Sequence, residues 1–336
     1  MNGGDMRCAG PCCEYGRLGP LLIGRPVEVV WGMSHIAAID SQNLTKSYGK
    51  ARGIESVTFS VQPGEVMGLV GESGSGKSTF LRALMNFIFP TSGNLSVFGQ
   101  SVVEHSVEVR RRSTYLPGEF VVPPRLTGHQ ALRRYAFSRK GMGEERIHEL
   151  ADRLRLDLSR KVGELSKGNK QKVALVLAFA PKADLIVLDE PTSGLDPILQ
   201  RTFAELVKEV TSDGATVILS SHVMSEVQHI ADRVALLRQG KLASVGTVAS
   251  LLQDSRRRGS VRPEVGHDAA EIMAKLSAMA GASEIKMEDG EISFACHGSV
   301  DLLLKLLASY KIESFDLAHA DLEDAFFAHS GSEDGS

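Results

Sequence analysis

The chain has 336 residues, 43% of them hydrophobic and 24% charged, with a formal net charge of -3, a length and composition that suit two ordinary folded domains. So balanced a charge leaves no overall footprint for nucleic acid or an anionic membrane surface. The longest apolar stretch, VALVLAFAPKADLIVL, is broken by Pro181, Lys182 and Asp184, so no run reaches the roughly 18 uncharged apolar residues that a spanning helix needs.

Residues 1–34 carry neither a helical nor a strand period and are expected to be a leader without fixed structure, or an upstream misassigned start. Three of the four cysteines, Cys8, Cys12 and Cys13, fall there. Their CAGPCC spacing lacks the second half of a tetrahedral zinc set. A first domain is predicted over residues 35–253, opening at HIAAIDSQNLTKSYG.

Residues 66–70 read as a buried strand and residues 78–85 as the first turns of a helix. Between them, GESGSGKST fits G-x-x-x-x-G-K-[ST]. A strand, a glycine-rich loop and a helix N-terminus together turn backbone N–H groups and a helix dipole of roughly +0.5 charge onto one point, which suits polyphosphate. Gly71, Glu72, Ser73, Gly74, Ser75, Gly76, Lys77, Ser78 and Thr79 are the candidate ligand residues. In ELSKGNKQKVALVLAFA, Ser166 and the amide of Gly168 precede a long apolar helix, a second anion-binding geometry. The run LIVLDE reads as a buried parallel strand that delivers Asp189 and Glu190 to its carboxyl end, where open α/β sheets place their ligands. Asp189 can hold Mg²⁺ with the hydroxyl of Ser78, directly or through water, and Glu190 is left to polarise an attacking water. GATVILSSH is a further buried strand, ending in His222.

DSRRRGS is read as a linker over residues 254–260. The order strand, helix, hairpin, helix, strand follows, with a turn at Asp289-Gly290, and ADLEDAFFAH is predicted as a closing helix. This β-α-β-β-α-β order predicts a small ferredoxin-like α+β domain over residues 261–330, with a tail over 331–336.

On these motifs the chain resembles ATP-binding subunits of ABC transporters, over roughly residues 36–250. The loop at Gly71 matches Walker A, LSKGN the signature, LIVLDE Walker B, and SGLD around Asp196 the D-loop. The resemblance implies an α/β P-loop fold with a helical subdomain, and an ATPase that uses ATP and Mg²⁺. It implies that Tyr48 stacks on adenine and that His222 contacts the γ-phosphate. It also implies a head-to-tail pair of cassettes in which Ser166 and Gly168 of a second copy close on the ATP held by Lys77. A membrane-spanning permease on a separate chain would then be driven at the cytoplasmic face of the cell membrane. The DLEDAFF ending resembles ATPase subunits of type-two bacterial exporters of drugs, antibiotics or polymers. The alternatives are an importer motor, or an ABC ATPase acting on nucleic acid or ribosomes. The second lacks support in a chain with one cassette and no long heptad run. The signature departs from LSGGQ at Lys167 and Asn169. Gly118 replaces the usual glutamine of the Q-loop, with Glu119 next to it. Two readings of Glu119 stay open: a substitute Mg²⁺ ligand, or a residue facing solvent or the partner.

Overall fold

The computed structural model describes residues 36–49, 51–138, 142–253, 257–264, 269–297 and 300–318. The chain enters through an antiparallel pair, β1 (Ile39–Tyr48) and β2 (Ala51–Val61), and continues through β3 (Val66–Val70), α1 (Lys77–Leu84), β4 (Ser92–Val97), β5 (Gln100–Ser101), α2 (Ser106–Arg112) and β6 (Ser113–Leu116). A helical segment follows, α3 (Gly128–Ser138), α4 (Glu144–Arg153) and α5 (Lys167–Phe179). The chain then returns through β7 (Leu185–Asp189), α6 (Pro197–Ser212), β8 (Thr216–Ser221), α7 (Met224–Gln228), β9 (Arg233–Arg238), β10 (Lys241–Thr247) and α8 (Val248–Gln253).

These strands form two sheets. The order β2-β1-β4-β5 is antiparallel, and the order β10-β9-β3-β8-β7-β6 is parallel except at β10. Every residue of β3, β7 and β8 is buried, as parallel strands covered on both faces require. Their alternation divides the core. Val66, Val70, Leu188 and Leu219 pack with α5 and the helical segment, whereas Met67, Leu69, Val187 and Ile218 pack with Phe80, Leu81 and the antiparallel sheet. The parallel sheet is thus the middle layer, and its strand order brings the carboxyl ends of β3, β8 and β7 side by side.

The remainder comprises β11 (Arg257–Pro263), α9 (Ala269–Ala278), β12 (Ala282–Glu288), β13 (Glu291–Cys296), α10 (Val300–Leu307) and β14 (Ile312–Leu317). The antiparallel sheet order β12-β13-β11-β14 is that of a split β-α-β unit. Asp289 and Gly290 both take positive φ, 49° and 79°, the pair a two-residue type I′ hairpin needs. Val261, Ile292 and Phe294 pack beneath Ile272, Leu276, Leu303 and Leu307 as a separate core. The predicted linker is shorter than residues 254–260. Arg257 and Arg258 already pair with Cys296 and Ala295, because Gly259, Val261 and Pro263 form the buried alternation of β11 and draw the preceding arginines into its register. The expected leader, the three amino-terminal cysteines and the closing helix at 320–329 lie outside the described residues.

Candidate active site

After β3 the backbone folds back on itself. Gly71 has φ 155°, and a Cβ there would lie 2.1 Å from the Leu237 carbonyl oxygen. Gly76, at φ 107°, caps α1, and a Cβ there would lie 2.6 Å from Ile54 Cγ2. The loop is wedged between the end of β9 and β2, a passage that only glycine fits. It turns the first amides of α1 toward a cavity of about 370 Å³ lined by Ser73, Gly74, Gly76, Lys77, Ser78, Thr79, Glu190 and His222. Gly71, Glu72 and Ser75 shape the loop from behind. The Lys77 ammonium donates to the Gly71 and Glu72 carbonyls at 2.6 and 3.0 Å, and Ser75 is buried.

Lys77 is 6% exposed, and its Nζ lies 3.8 Å from Glu190 Oε1. Burial lowers its pKa, and the Glu190 and Asp189 carboxylates oppose that shift. The Asp189 carboxylate is buried at the end of β7, where Oδ1 accepts from Ser78 Oγ at 2.9 Å and from Ser220 Oγ at 2.7 Å. Glu190 takes a left-handed φ of 49°, uncommon for a side-chain-bearing residue and a form of strain that clusters at active sites. This turn aims its carboxylate back over the loop, where Oε2 meets His222 Nδ1 at 2.7 Å. Ser78, Asp189, Glu190, His222 and Lys77 therefore converge from three adjacent strand ends.

Ser166, Gly168 and Asp196 do not line this cavity. Ser166 caps α5 and accepts from the Asn169 amide at 3.3 Å. Asp196 caps α6 and accepts from the Ile198 and Leu199 amides. A Cβ on Gly168 would stand 2.7 Å from the Gly194 carbonyl oxygen, so these residues form one separate patch. Tyr48, 44% exposed, ends β1. It neighbours Gly53, whose carbonyl backs onto Gly76, so its ring belongs to the hairpin abutting the loop.

A Cβ on Gly118 would lie 3.5 Å from the Asp189 carboxylate, so that position faces the site but carries no group to reach it. Glu119 points elsewhere. It lines a cleft of about 450 Å³ with Phe87, Tyr115, Phe120, Val121 and Tyr135, and it is not among the residues lining the cavity at Lys77.

Three supporting residues carry no motif. Gln171 Nε2 donates to the Pro191 carbonyl at 2.8 Å, tying α5 to the turn after Glu190. Glu226 accepts from Gln200 at 2.7 Å and from the Thr192 hydroxyl. Ser220 donates to Asp189 and also accepts from the Glu190 amide at 3.0 Å, orienting both acidic residues at once. Its sequence gives no signal of this role, since Thr216 and Ser221 are hydroxyl residues of the same buried strand TVILSS. A hydrogen bond to a charged group contributes about 1.5–3 kcal/mol. Ser220→Ala is accordingly expected to slow turnover at least about tenfold while ATP affinity changes little, measured by steady-state phosphate release beside nucleotide titration.

A glycine loop, a buried aspartate, a following glutamate and a histidine on adjacent parallel strands define a P-loop ATPase. Residues 54–193 match the ABC transporter family. The Nod factor export ATP-binding protein I of Burkholderia lata is 30% identical over 89% of this chain and 98% of its own. The ABC transporter ATP-binding protein NatA of Bacillus subtilis is 34% identical over 61% of this chain and 86% of its own. Among solved structures, the ATP-binding subunit of an ABC transporter superposes with TM-score 0.59 at 30% identity, covering 64% and 91% of the two chains. A dimeric ATP-binding cassette in a post-hydrolysis state bound to ADP and Pi gives 0.57 at 25%, covering 62% and 98%. The chain belongs to the ATP-binding subunits of the ABC transporter family. It is an ATP-binding ATPase subunit of the exporter type.

Proposed function

We propose that two copies of this chain close head to tail on ATP and drive export through a membrane-spanning permease carried on a separate polypeptide. The observation behind this reading is the division of the anion-binding groups. One set lines the cavity at Lys77, and Ser166, Gly168 and Asp196 make a second patch on the same chain. Each patch is half of a site that a second copy would complete.

In this reading the loop amides and Lys77 hold the β- and γ-phosphates, and Tyr48 offers its ring to the adenine. Glu190 takes the proton of the attacking water, and His222 holds that carboxylate in place while reaching the γ-phosphate. Ser166 and Gly168 of the second copy bring a hydroxyl and an amide to the transferred phosphoryl. A hydroxyl and a carboxylate converging at 2.9 Å are hard oxygen donors suited to Mg²⁺. When bound by Ser78 and Asp189, Mg²⁺ would neutralise phosphate charge.

No described helix is long and apolar enough to cross a membrane, and in this reading the membrane step is assigned to another chain. The cleft beside Glu119 suits a cytoplasmic segment of such a permease. It presents Phe87 at 53%, Val121 at 87% and Tyr135 at 53% exposure, and such apolar exposure marks interaction sites. In cells, the wild-type chain is expected to sediment with the membrane fraction. Phe87→Glu with Val121→Glu is expected to move it to the supernatant, while the purified variant keeps its ATPase rate. A wild-type chain found wholly in the supernatant of its native host, or a variant that stays on membranes, would refute the permease role. The export relatives favour this reading over one on nucleic acid, which no charge feature of the chain supports.

A further inference from the structure

We propose that His129, Glu144 and His148 form a binding site for a divalent transition ion of the zinc type, which clamps α3 to α4. One ligand atom from each, two imidazole nitrogens and a carboxylate oxygen, lies within 4.8 Å of the others. His129 Nε2 meets Glu144 Oε1 at 2.6 Å, and the two imidazole rings are 5.7 Å apart. Glu144 and His148 are four residues apart on α4, so they share a face one turn apart. The set of two nitrogens and one oxygen, with a position left for water, is the donor count of an open zinc site. Its borderline ligands favour Zn²⁺ over Mg²⁺ or Ca²⁺.

The two helices are fixed independently of any ion. Thr127 and Gln130 cap α3 reciprocally, each amide donating to the other's side chain, which is a capping box. The His129 amide donates to the Leu158 carbonyl at 2.9 Å. On α4, Ile147, Leu150 and Ala151 are buried. Arg146 and Arg153 both bind Glu209 of α6, at 2.7 and 2.6 Å. The ligand side chains thus project from rigid backbones, as a preorganised site needs. Among the described residues, one competing charge faces the cluster. Arg133 lies 4.0 Å from Glu144, but it is 68% exposed, so its guanidinium can turn into water when a cation binds.

The same two elements reach the cleft beside Glu119. Tyr135 lies on α3 and Met142 just precedes α4, and both line that cleft. An ion joining α3 to α4 therefore braces the wall of the apolar cleft without touching the ATPase cavity.

The test is a Co²⁺ titration of the chelator-treated full chain without nucleotide, followed by visible absorption. Visible d–d bands of a tetrahedral ion are expected as one high-affinity Co²⁺ binds per chain, and Zn²⁺, which prefers the same tetrahedral site, should bleach them. His129→Ala, His148→Ala and Glu144→Gln should each weaken binding at least about tenfold. Circular dichroism should stay unchanged and the metal-free melting temperature should change little, because Ile147, Leu150 and the Arg146–Glu209 pair hold α4 without these side chains. The bands should survive Cys8→Ser, Cys12→Ser and Cys13→Ser combined, which removes thiolate ligands. Zn²⁺ should raise the wild-type melting temperature and not that of His148→Ala, while ATPase activity in Mg²⁺ is equal in the two. Equal titrations of wild type and His148→Ala, bands that vanish with the cysteines, or no bands at all would overturn the site.

Discussion

Lys77→Ala is expected to abolish ATP hydrolysis and to weaken ATP binding by about a thousandfold. The ammonium lies at the floor of the cavity, held by the Gly71 and Glu72 carbonyls and 6% exposed. One such charge against phosphate, at about 4 Å and an effective dielectric near 20, contributes roughly 4 kcal/mol, and about 1.4 kcal/mol is a tenfold change in affinity. Water screens this pair less than a surface pair, because the loop has already excluded it from the cation. Burial lowers the Lys77 pKa, and the Glu190 and Asp189 carboxylates oppose that shift. Fluorescent-nucleotide titration and phosphate release measure the two quantities. Near-normal turnover would sink the assignment of the loop.

How much of this was legible in the sequence depends on how local its cause is. The loop at Gly71 and the strand ending in Asp189 could be read because each is a continuous segment whose glycines, apolar run and acidic end sit within a few residues of one another. The same holds for the cap at Ser166 and for the Asp289-Gly290 hairpin, where two neighbouring residues decide the turn. Ser220 could not be read. Its partner Asp189 is 31 residues away, and a hydroxyl in a buried strand becomes an orienting group only once β7 and β8 pair. Glu226 is equally dependent on distant residues, bridging Thr192 and Gln200 from another helix. The left-handed turn at Glu190 follows from its amide being tied to Ser220. The direction of Glu119 depends on how the chain leaves β6 beside the helical segment. The linker boundary shifted for the same reason: the arginines at 257 and 258 belong to a strand because Cys296 and Ala295 stand opposite them.

Glu190→Gln is expected to separate binding from chemistry. The amide keeps the length of the side chain and its reach toward His222 Nδ1, now 2.7 Å from Oε2, but it cannot accept the proton of the attacking water. Loss of a positioned general base costs about 10²–10⁴ in rate, so phosphate release should fall by at least about a hundredfold. Nucleotide affinity should rise. The Glu190 carboxylate lines the cavity 3.8 Å from Lys77, where its charge repels a γ-phosphate and competes for the same ammonium, and the neutral amide does neither. A slow, tightly binding site is also the condition under which Ser166 and Gly168 of a second copy would stay closed on the phosphate. Size-exclusion chromatography with ATP and Mg²⁺ should therefore show a stable dimer for Glu190→Gln that falls apart when ATP is withdrawn. Adding Ser166→Arg to that variant should prevent the dimer and leave ATP bound to the monomer. If Glu190→Gln binds ATP yet stays monomeric at high concentration, the shared site at Ser166 fails and the cavity at Lys77 must hydrolyse ATP alone. If it dimerises but still releases phosphate at the wild-type rate, the base is a group other than Glu190, and His222 becomes the residue to replace next.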